Sequence, residues 1–235
     1  MPMKHKKRIA LSLPAPTGTV ADTIALAQQA EAQGYDDLWL ADAGGLDALT
    51  LAPMILEKTK KVRVGIAVVP AYTRTPAVLS STLTVIAEAF PQRFVPGLGT
   101  SSHTIIEGWH GLKLEKPLTR MQETVTLMRS MLAGEKTAFE GQTLKSKGYR
   151  QSPIEGVPIY LAALRPKMVE AAAEIADGVI LNLFPRSVLP KIMEHVAAGA
   201  ERAGKKCEDI EIVCRHMVVV TDDKAMGRDA FRGAF

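Results

Sequence analysis

A glycine-rich turn followed by three hydroxyl side chains comes directly after a predicted strand near the middle of the chain. Residues 97–102 read Gly-Leu-Gly-Thr-Ser-Ser. Backbone N–H groups of such a turn, with the hydroxyls of Thr100, Ser101 and Ser102, can bind a phosphate or a carbonyl oxygen. The third glycine of a dinucleotide fingerprint is absent, and the turn follows the fourth strand instead of the first. The alternative is a tight turn that uses glycine for its conformation alone.

A second candidate for anion binding lies between a later predicted strand and its helix, at Leu164, Arg165, Pro166 and Lys167. Proline suits the first turn of a helix, where backbone N–H groups have no partner in the helix, and the two cations add positive charge. The turn therefore predicts a site for a phosphate or a carboxylate. A plain helix start is the alternative.

Charged residues follow the second and third predicted strands. Asp42 ends the second strand, and in a barrel a polar residue at the carboxyl end of a strand faces the active site. A turn or a helix cap is the alternative for Asp42, and Asp47 is expected to cap the next helix. Arg74, after the third strand, could bind an anion or act as a structural clamp.

A loop rich in acid–base groups is predicted after the fourth strand. Residues 107–111 read Glu-Gly-Trp-His-Gly. A tryptophan, a histidine and an acid between glycines suit contact with a ligand better than burial in a core. His110 and the nearby His103 are candidate bases or donors, and Glu107 is a candidate acid, although a lone histidine in a loop is usually only solvated. No Ser-His-Asp or Cys-His arrangement supports nucleophilic hydrolysis.

The elements that must position these residues alternate between short strands and longer helices. Seven β–α steps in one register predict a parallel sheet with helical crossovers, in one domain over residues 1–235. An open doubly wound sheet and a (β/α)8 barrel both accommodate the pattern, and residues 136–152 are an irregular excursion or a hairpin. We expect strands at 9–13, 37–41, 62–69, 93–98, 158–162, 178–181 and 210–220, and helices at 19–33, 46–59, 76–89, 117–132, 166–175, 187–203 and 222–235.

Charge and composition exclude several classes of partner. The net charge is +4, and four basic residues without an acid lie in the tail formed by residues 1–8, so the rest of the chain is neutral. This leaves little support for nucleic-acid binding, and no apolar run reaches the roughly 18 residues of a membrane span.

The two cysteines, Cys207 and Cys214, have no metal-ligand spacing, so no metal site is expected. They fit a reduced, cytoplasmic setting, with Cys214 packed in an apolar run.

Several ordered stretches together resemble the luciferase-like flavin/deazaflavin oxidoreductases. The resemblance implies a (β/α)8 barrel, usually a homodimer, that binds FMN or the deazaflavin coenzyme F420 at the carboxyl mouth of its strands. The segment from Glu107 to Arg120 resembles the deazaflavin branch most, which implies hydride transfer between F420 and a small organic substrate. An FMN-dependent monooxygenase is the first alternative, and a cofactor-free, truncated barrel that acts as a binding protein is the second. The matching stretches are residues 32–42, 62–76, 93–100, 158–168 and 174–178.

The resemblance also implies roles for particular residues. A non-prolyl cis peptide is expected behind the ring at Ala67-Val68, and Asp42 matches the acid beside the ring. The hydroxyl loop of Thr100-Ser101-Ser102 and the Leu164-Arg165-Pro166 turn match segments that hold the ribityl and phosphate groups. Lys167 and Arg165 would attract a phosphate or an acidic tail.

This chain departs from the family pattern at several of these positions. Ala43 stands where many members have a histidine, and Ser102 where several deazaflavin enzymes have a glutamate. We therefore expect His103, Glu107 or His110 to replace the usual acid–base pair.

Length adds an expectation about the architecture. A barrel of this kind typically has about 250 residues, and seven strands can be counted in this sequence. The eighth strand is expected to be absent, as in a truncated form or a partial record of a longer protein, and the sheet would then have two open edges.

Overall fold

A seven-stranded parallel sheet with helical connections forms the body of the protein in a computed structural model, which describes residues 7–13 and 18–233. A separate two-stranded hairpin, β5–β6, completes the described strands. In chain order the strands are β1 (Ala10–Ser12), β2 (Asp37–Leu40), β3 (Arg63–Pro70), β4 (Phe94–Gly99), β5 (Ala138–Glu140), β6 (Lys145–Lys147), β7 (Tyr160–Ala162), β8 (Gly178–Asn182) and β9 (Glu211–Arg215). The α-helices are α1 (Val20–Ala32), α2 (Ala48–Lys58), α3 (Pro76–Ala89), α4 (Pro117–Leu132), α5 (Pro166–Ile175), α6 (Leu189–Arg202) and α7 (Lys224–Gly233).

The sheet curls into a nearly closed barrel. Its strand order is β1-β2-β3-β4-β7-β8-β9, and every neighbouring pair is parallel. Arg63 at the start of β3 donates to Glu211 at the start of β9 over 2.6 Å, which joins two strands that are far apart in the sheet. Among the described residues β1 and β9 are the edge strands, and Arg215 Nε lies 3.3 Å from Ser12 Oγ between them. The structure therefore confirms the parallel α/β barrel.

Two layers of apolar side chains hold the barrel together. Inside it, one buried residue from each of five strands forms a small cluster, in which the rings of Trp39 and Tyr160 lie 6.4 Å apart. Outside it, a larger cluster joins the strands to the helices, and Met121 and Met128 of α4 are buried there. β3 and β4 are covered on both faces, which explains their almost continuous apolar sequence.

Glycine permits the closest contact inside the barrel. A Cβ placed on Gly65 of β3 would lie 2.5 Å from the Trp39 ring, and one placed on Gly97 of β4 would lie 2.2 Å from the carbonyl oxygen of Ile66. Any larger residue at these positions would displace a ring or a neighbouring strand.

Helices α3, α4 and α5 have the bounds that the periodicity predicts, and Asp47 caps α2, accepting from the Thr50 N–H over 2.8 Å. The excursion over residues 136–152 contains the antiparallel hairpin β5–β6. No helix in the described part of the chain is long and apolar enough to cross a bilayer.

Four local predictions are wrong. The helix predicted over 187–203 begins two residues later, at Leu189, because a 3-10 turn at Arg186–Val188 precedes α6. The strand predicted over 210–220 ends at Arg215, and the apolar residues after it are exposed. Cys214 is exposed instead of packed. The loop after β4 contains a six-residue π-helix at Thr104–Trp109, because Ile106 turns inward and is fully buried.

Candidate active site

A cleft of about 600 Å³ opens at the carboxyl ends of the strands. This is the face of a (β/α)8 barrel on which active sites form. Three of the sixteen lining residues are cationic and none is acidic. They are Ala67, Val68, Gly99, Thr100, Ser101, Pro117, Leu118, Ala162, Ala163, Leu164, Arg165, Lys167, Met168, Ile180, Asn182 and Arg215.

Small apolar residues form the floor of this cleft. The register between β3 and β4 shifts between Ala67 and Val69, and the Ala67–Val68 peptide is cis, as expected. Gly99 lies beside this bulge, where a Cβ would come within 2.6 Å of Val68 Cγ2. Small side chains therefore line this part of the cleft.

Two of the three residues of the hydroxyl loop, Thr100-Ser101-Ser102, line the cleft. Thr100 and Ser101 line the cleft, and Ser101 has a left-handed backbone with φ of 62°. Ser102 does not line it, because its Oγ accepts from the Ile105 N–H over 3.4 Å at the start of the π-helix. The loop thus presents two hydroxyls to a ligand and uses the third for its own fold.

The first turn of α5 forms another wall. Leu164, Arg165 and Lys167 line the cleft, while Pro166 occupies the first turn of the helix and is outside the lining set. No described side chain caps α5. Pro166 has no N–H, and the Met168 N–H donates to the Arg165 carbonyl oxygen over 2.9 Å, so the Lys167 N–H is the group of the first turn that is available to an anion. Together with the side chains of Arg165 and Lys167 it forms a positively charged end of the cleft.

Two polar lining residues were not predicted. Asn182 ends β8 and Arg215 ends β9, and the two are directly paired in the sheet. A polar side chain at the end of a buried strand is the sequence signal that could have found them. For Arg215 the signal was hidden, because the predicted strand ran on through the apolar residues after it.

Asp42 is held away from the cleft lining by an ion pair. Arg74 Nη1 donates to Asp42 Oδ2 over 2.5 Å, and the same guanidinium also binds Asp47. Arg74 is therefore the structural clamp that was one of its two predicted roles, and it joins the loops after β2 and β3. Burial alone would raise the pKa of Asp47, but hydrogen bonds from Thr50 and the charge of Arg74 lower it.

The remaining candidate catalytic residues lie outside the cleft lining, Glu107 on the π-helix and His103 and His110 at its two ends. His103 Nδ1 lies 3.2 Å from Glu107 Oε1, and the two side chains are 72% and 49% exposed. The Leu114 N–H and then His103 lower the pKa of Glu107 by hydrogen bonding. His110 is exposed, and the Trp109 ring packs over Gly44 in the loop after β2.

A charged network closes the opposite mouth of the barrel. Arg63 binds Asp37 through two hydrogen bonds of 2.8 Å and also binds Glu211, which accepts from the Tyr160 hydroxyl over 2.7 Å. Arg8 makes a further contact of 2.6 Å with Asp37. These residues start their strands or precede them, so the network belongs to the end of the barrel remote from the cleft. In the described part of the chain no group of three or more histidine, cysteine or acidic residues could hold a metal ion.

Comparison with known proteins agrees with this arrangement. The chain is 30% identical over 217 residues to a 5,10-methylenetetrahydromethanopterin reductase from Methanolobus tindarius, covering 92% of this chain and 66% of that protein. It is 30% identical over 212 residues to an F420-dependent glucose-6-phosphate dehydrogenase from Mycolicibacterium gilvum, covering 81% and 62%. The chain thus spans slightly less than two thirds of these relatives' lengths.

The fold has a close counterpart among solved structures. The coenzyme F420-dependent tetrahydromethanopterin reductase from Methanopyrus kandleri superposes with a TM-score of 0.84 at 21% identity, covering 93% of this chain and 68% of that one. The family model described as luciferase-like monooxygenase matches residues 3–235. The match covers nearly the whole chain, and the chain belongs to the luciferase-like monooxygenase family.

Proposed function

We propose that this chain forms the cofactor-binding barrel of an oxidoreductase that transfers a hydride between coenzyme F420 and a small organic substrate. The observation that carries the proposal is the cleft itself. It combines an apolar floor, two hydroxyls and a cationic helix start at the active face of the barrel. The names of the F420-dependent relatives support the choice of coenzyme.

Each part of the cleft fits one part of such a coenzyme. The floor at Ala67 and Val68 would receive the ring, and Thr100 and Ser101 would bind the ribityl hydroxyls. The Lys167 N–H, with the side chains of Arg165 and Lys167, would bind the phosphate. When bound, the deazaflavin supplies the two-electron chemistry, and the protein supplies binding and orientation.

The candidate catalytic residues divide into two roles. Asp42 is held by Arg74, so we assign it an electrostatic role beside the ring instead of proton transfer. His103, Glu107 and His110 belong to the segment that continues the hydroxyl loop. We propose that the His103–Glu107 pair exchanges a proton with the substrate at the mouth of the cleft, with His110 beside it.

Assembly and location follow from the resemblance. We propose a cytoplasmic homodimer, and light scattering of the purified protein would measure its oligomeric state.

Titration with F420 and with FMN, followed by absorbance and fluorescence, tests the proposal. We expect F420 to bind more tightly than FMN. Lys167→Met should weaken F420 binding about tenfold, because one hydrogen bond to a charged group is lost. Lys116→Met, which removes a cation outside the cleft lining, is the matched control and should leave binding unchanged.

Other outcomes of the titration favour the alternatives. Tighter binding of FMN would support a flavin-dependent monooxygenase. If neither coenzyme binds below about 1 mM, a range that leaves only about 4 kcal/mol of binding free energy, the enzyme proposal fails. The cofactor-free binding protein would then be the better interpretation.

A further inference from the structure

Arg215 is a half-buried cation without a carboxylate partner among the described residues. Its Nη1 donates to the Ala67 carbonyl oxygen and its Nε to Ser12 Oγ, each over 3.3 Å. Its Nη2 donates to no described atom, although a guanidinium carries five N–H groups. Burial lowers the pKa of Arg215. By contrast, the half-buried Arg63 binds two carboxylates.

Asn182 adds a second polar group at the same place. It is paired with Arg215 in the sheet, lines the same cleft, and its side-chain amide has no hydrogen bond within the described part of the chain. Asn182 and Arg215 thus form a polar edge next to Ala67 and Ile180 of the apolar floor.

The positive charge of the cleft lining is not neutralised by any acidic residue of the lining. Arg165, Lys167 and Arg215 line it, no lining residue is acidic, and the positions outside the described residues contain no aspartate or glutamate. Arg165 and Lys167 belong to the start of α5, after β7, whereas Arg215 ends β9 and contacts the bulge of β3. The cleft therefore has two separate cationic groups.

We propose that Arg215 and Asn182 form a second anion-recognition subsite, which binds the edge of a planar ring when that ring carries delocalised negative charge. This inference rests on the proposed function, since the ring is that of the reduced deazaflavin or flavin, whose pyrimidinedione edge becomes anionic on loss of a proton. A guanidinium is planar and forms paired hydrogen bonds with delocalised anions, and the Asn182 amide can donate beside it. A ring resting on Ala67 and Val68 would have its edge near this pair, because Arg215 contacts the Ala67 carbonyl oxygen.

The test compares the oxidised and reduced forms of 5-deazariboflavin, which has the ring but no phosphate, under anaerobic conditions. We expect Arg215→Met to raise the Kd of the reduced ring at least tenfold and that of the oxidised ring less than threefold. The ratio of the two Kd values then changes at least about threefold, which lowers the two-electron midpoint potential of the bound 5-deazariboflavin by at least about 15 mV. Arg215→Lys should retain most of the preference, because it keeps the charge.

Lys167→Met is the matched control, since it removes one cation from the other end of the same cleft. It should weaken the binding of inorganic phosphate, and it should weaken the binding of F420 equally in both redox states. The binding of 5-deazariboflavin, which has no phosphate, should be unchanged. Circular dichroism and thermal melting of each variant establish that it folds.

The outcomes separate this inference from the proposed function. If the wild type binds F420 and Arg215→Met leaves the ratio of the two Kd values unchanged, the inference is wrong and the proposed function stands. An equal loss for both redox states would assign Arg215 a structural role and would also overturn the inference. If the wild type binds neither F420 nor the free ring, both proposals fail.

Discussion

The charged side chains at the amino-terminal mouth of the barrel are largely buried, and each has an oppositely charged partner in the same network. The Asp37 side chain is 4% exposed and that of Arg63 is 16% exposed. Burial alone would raise the pKa of Asp37, but the hydrogen bonds and charges of Arg63 and Arg8 outweigh it and lower the pKa. The pKa of Glu211 is lowered in the same way, by Arg63 and the Tyr160 hydroxyl against the effect of burial. Each charge is thus maintained by its partners.

Removing one member of this network should destabilise the whole fold. We expect Arg63→Met to lower the free energy of unfolding by about 3 kcal/mol, because it leaves two carboxylates buried with fewer partners. Urea denaturation followed by circular dichroism measures the change. Lys145→Met, which breaks an exposed ion pair with Glu140, is the control and should cost less than about 1 kcal/mol. Equal losses in the two variants would contradict the structural role of the network.

The same network predicts a dependence on pH. Because the folded pKa of Asp37 and of Glu211 is lowered, their stabilisation is complete above the unfolded values near 4 and is lost as pH falls through the folded values. The difference in stability between the wild type and Arg63→Met should therefore narrow as pH falls from 6 to 3. Urea midpoints at intervals of half a pH unit would measure it, and a constant difference would contradict an ionic origin.

At the scale of elements, a single carboxylate organises the β5–β6 hairpin. Glu123 of α4 accepts from the backbone N–H groups of Gln142, Thr143 and Leu144 over 2.6, 2.9 and 2.9 Å. Burial alone would raise the pKa of Glu123, but these hydrogen bonds, together with that from the Thr143 hydroxyl, lower it. The turn is therefore fixed by a helix twenty residues earlier, and this explains how an apparently irregular segment forms an ordered hairpin.

Glu123→Gln should loosen this turn without unfolding the barrel. We expect amide exchange at residues 142–144 to accelerate about tenfold, because the loss of a charged acceptor weakens hydrogen bonds by about 1.5 kcal/mol. Hydrogen exchange read by mass spectrometry measures the effect. Glu140→Gln on the same hairpin is the control, since Glu140 is exposed and pairs only with Lys145 among the described residues. Unchanged exchange in Glu123→Gln would show that the turn is stable without the carboxylate.

For the whole molecule, stability should vary around the barrel. β3 and β4 are paired on both sides and buried, whereas within the described residues β1 and β9 are paired on one side only and are largely half-exposed or exposed. We expect amides of β3 and β4 to exchange by global unfolding and those of β1 and β9 to exchange at least tenfold faster, by local opening. Hydrogen exchange at increasing urea concentration distinguishes the two routes. Protection of β9 equal to that of β4 would contradict this prediction.

The sequence by itself determined the class of fold and part of the cleft. The alternation of apolar strands with capped helices predicted a parallel sheet with helical crossovers, since these patterns depend on local periods and on turn chemistry. The choice of a barrel over an open sheet came from the resemblance to the family. The same local signals identified Thr100, Ser101, Arg165 and Lys167, because residues that follow a parallel strand must lie at its carboxyl edge.

Only the tertiary structure decided which side chains act together. Asp42 is engaged by Arg74, the pair of His103 and Glu107 at the start of the π-helix lies outside the cleft lining, and Arg215 reaches across to the bulge of β3. These contacts join residues that are from about thirty to about a hundred and fifty positions apart, except in the π-helix, where burial of Ile106 sets the turn. Such partners depend on how far the sheet curls and on which strands then face each other, and no local pattern contains that information.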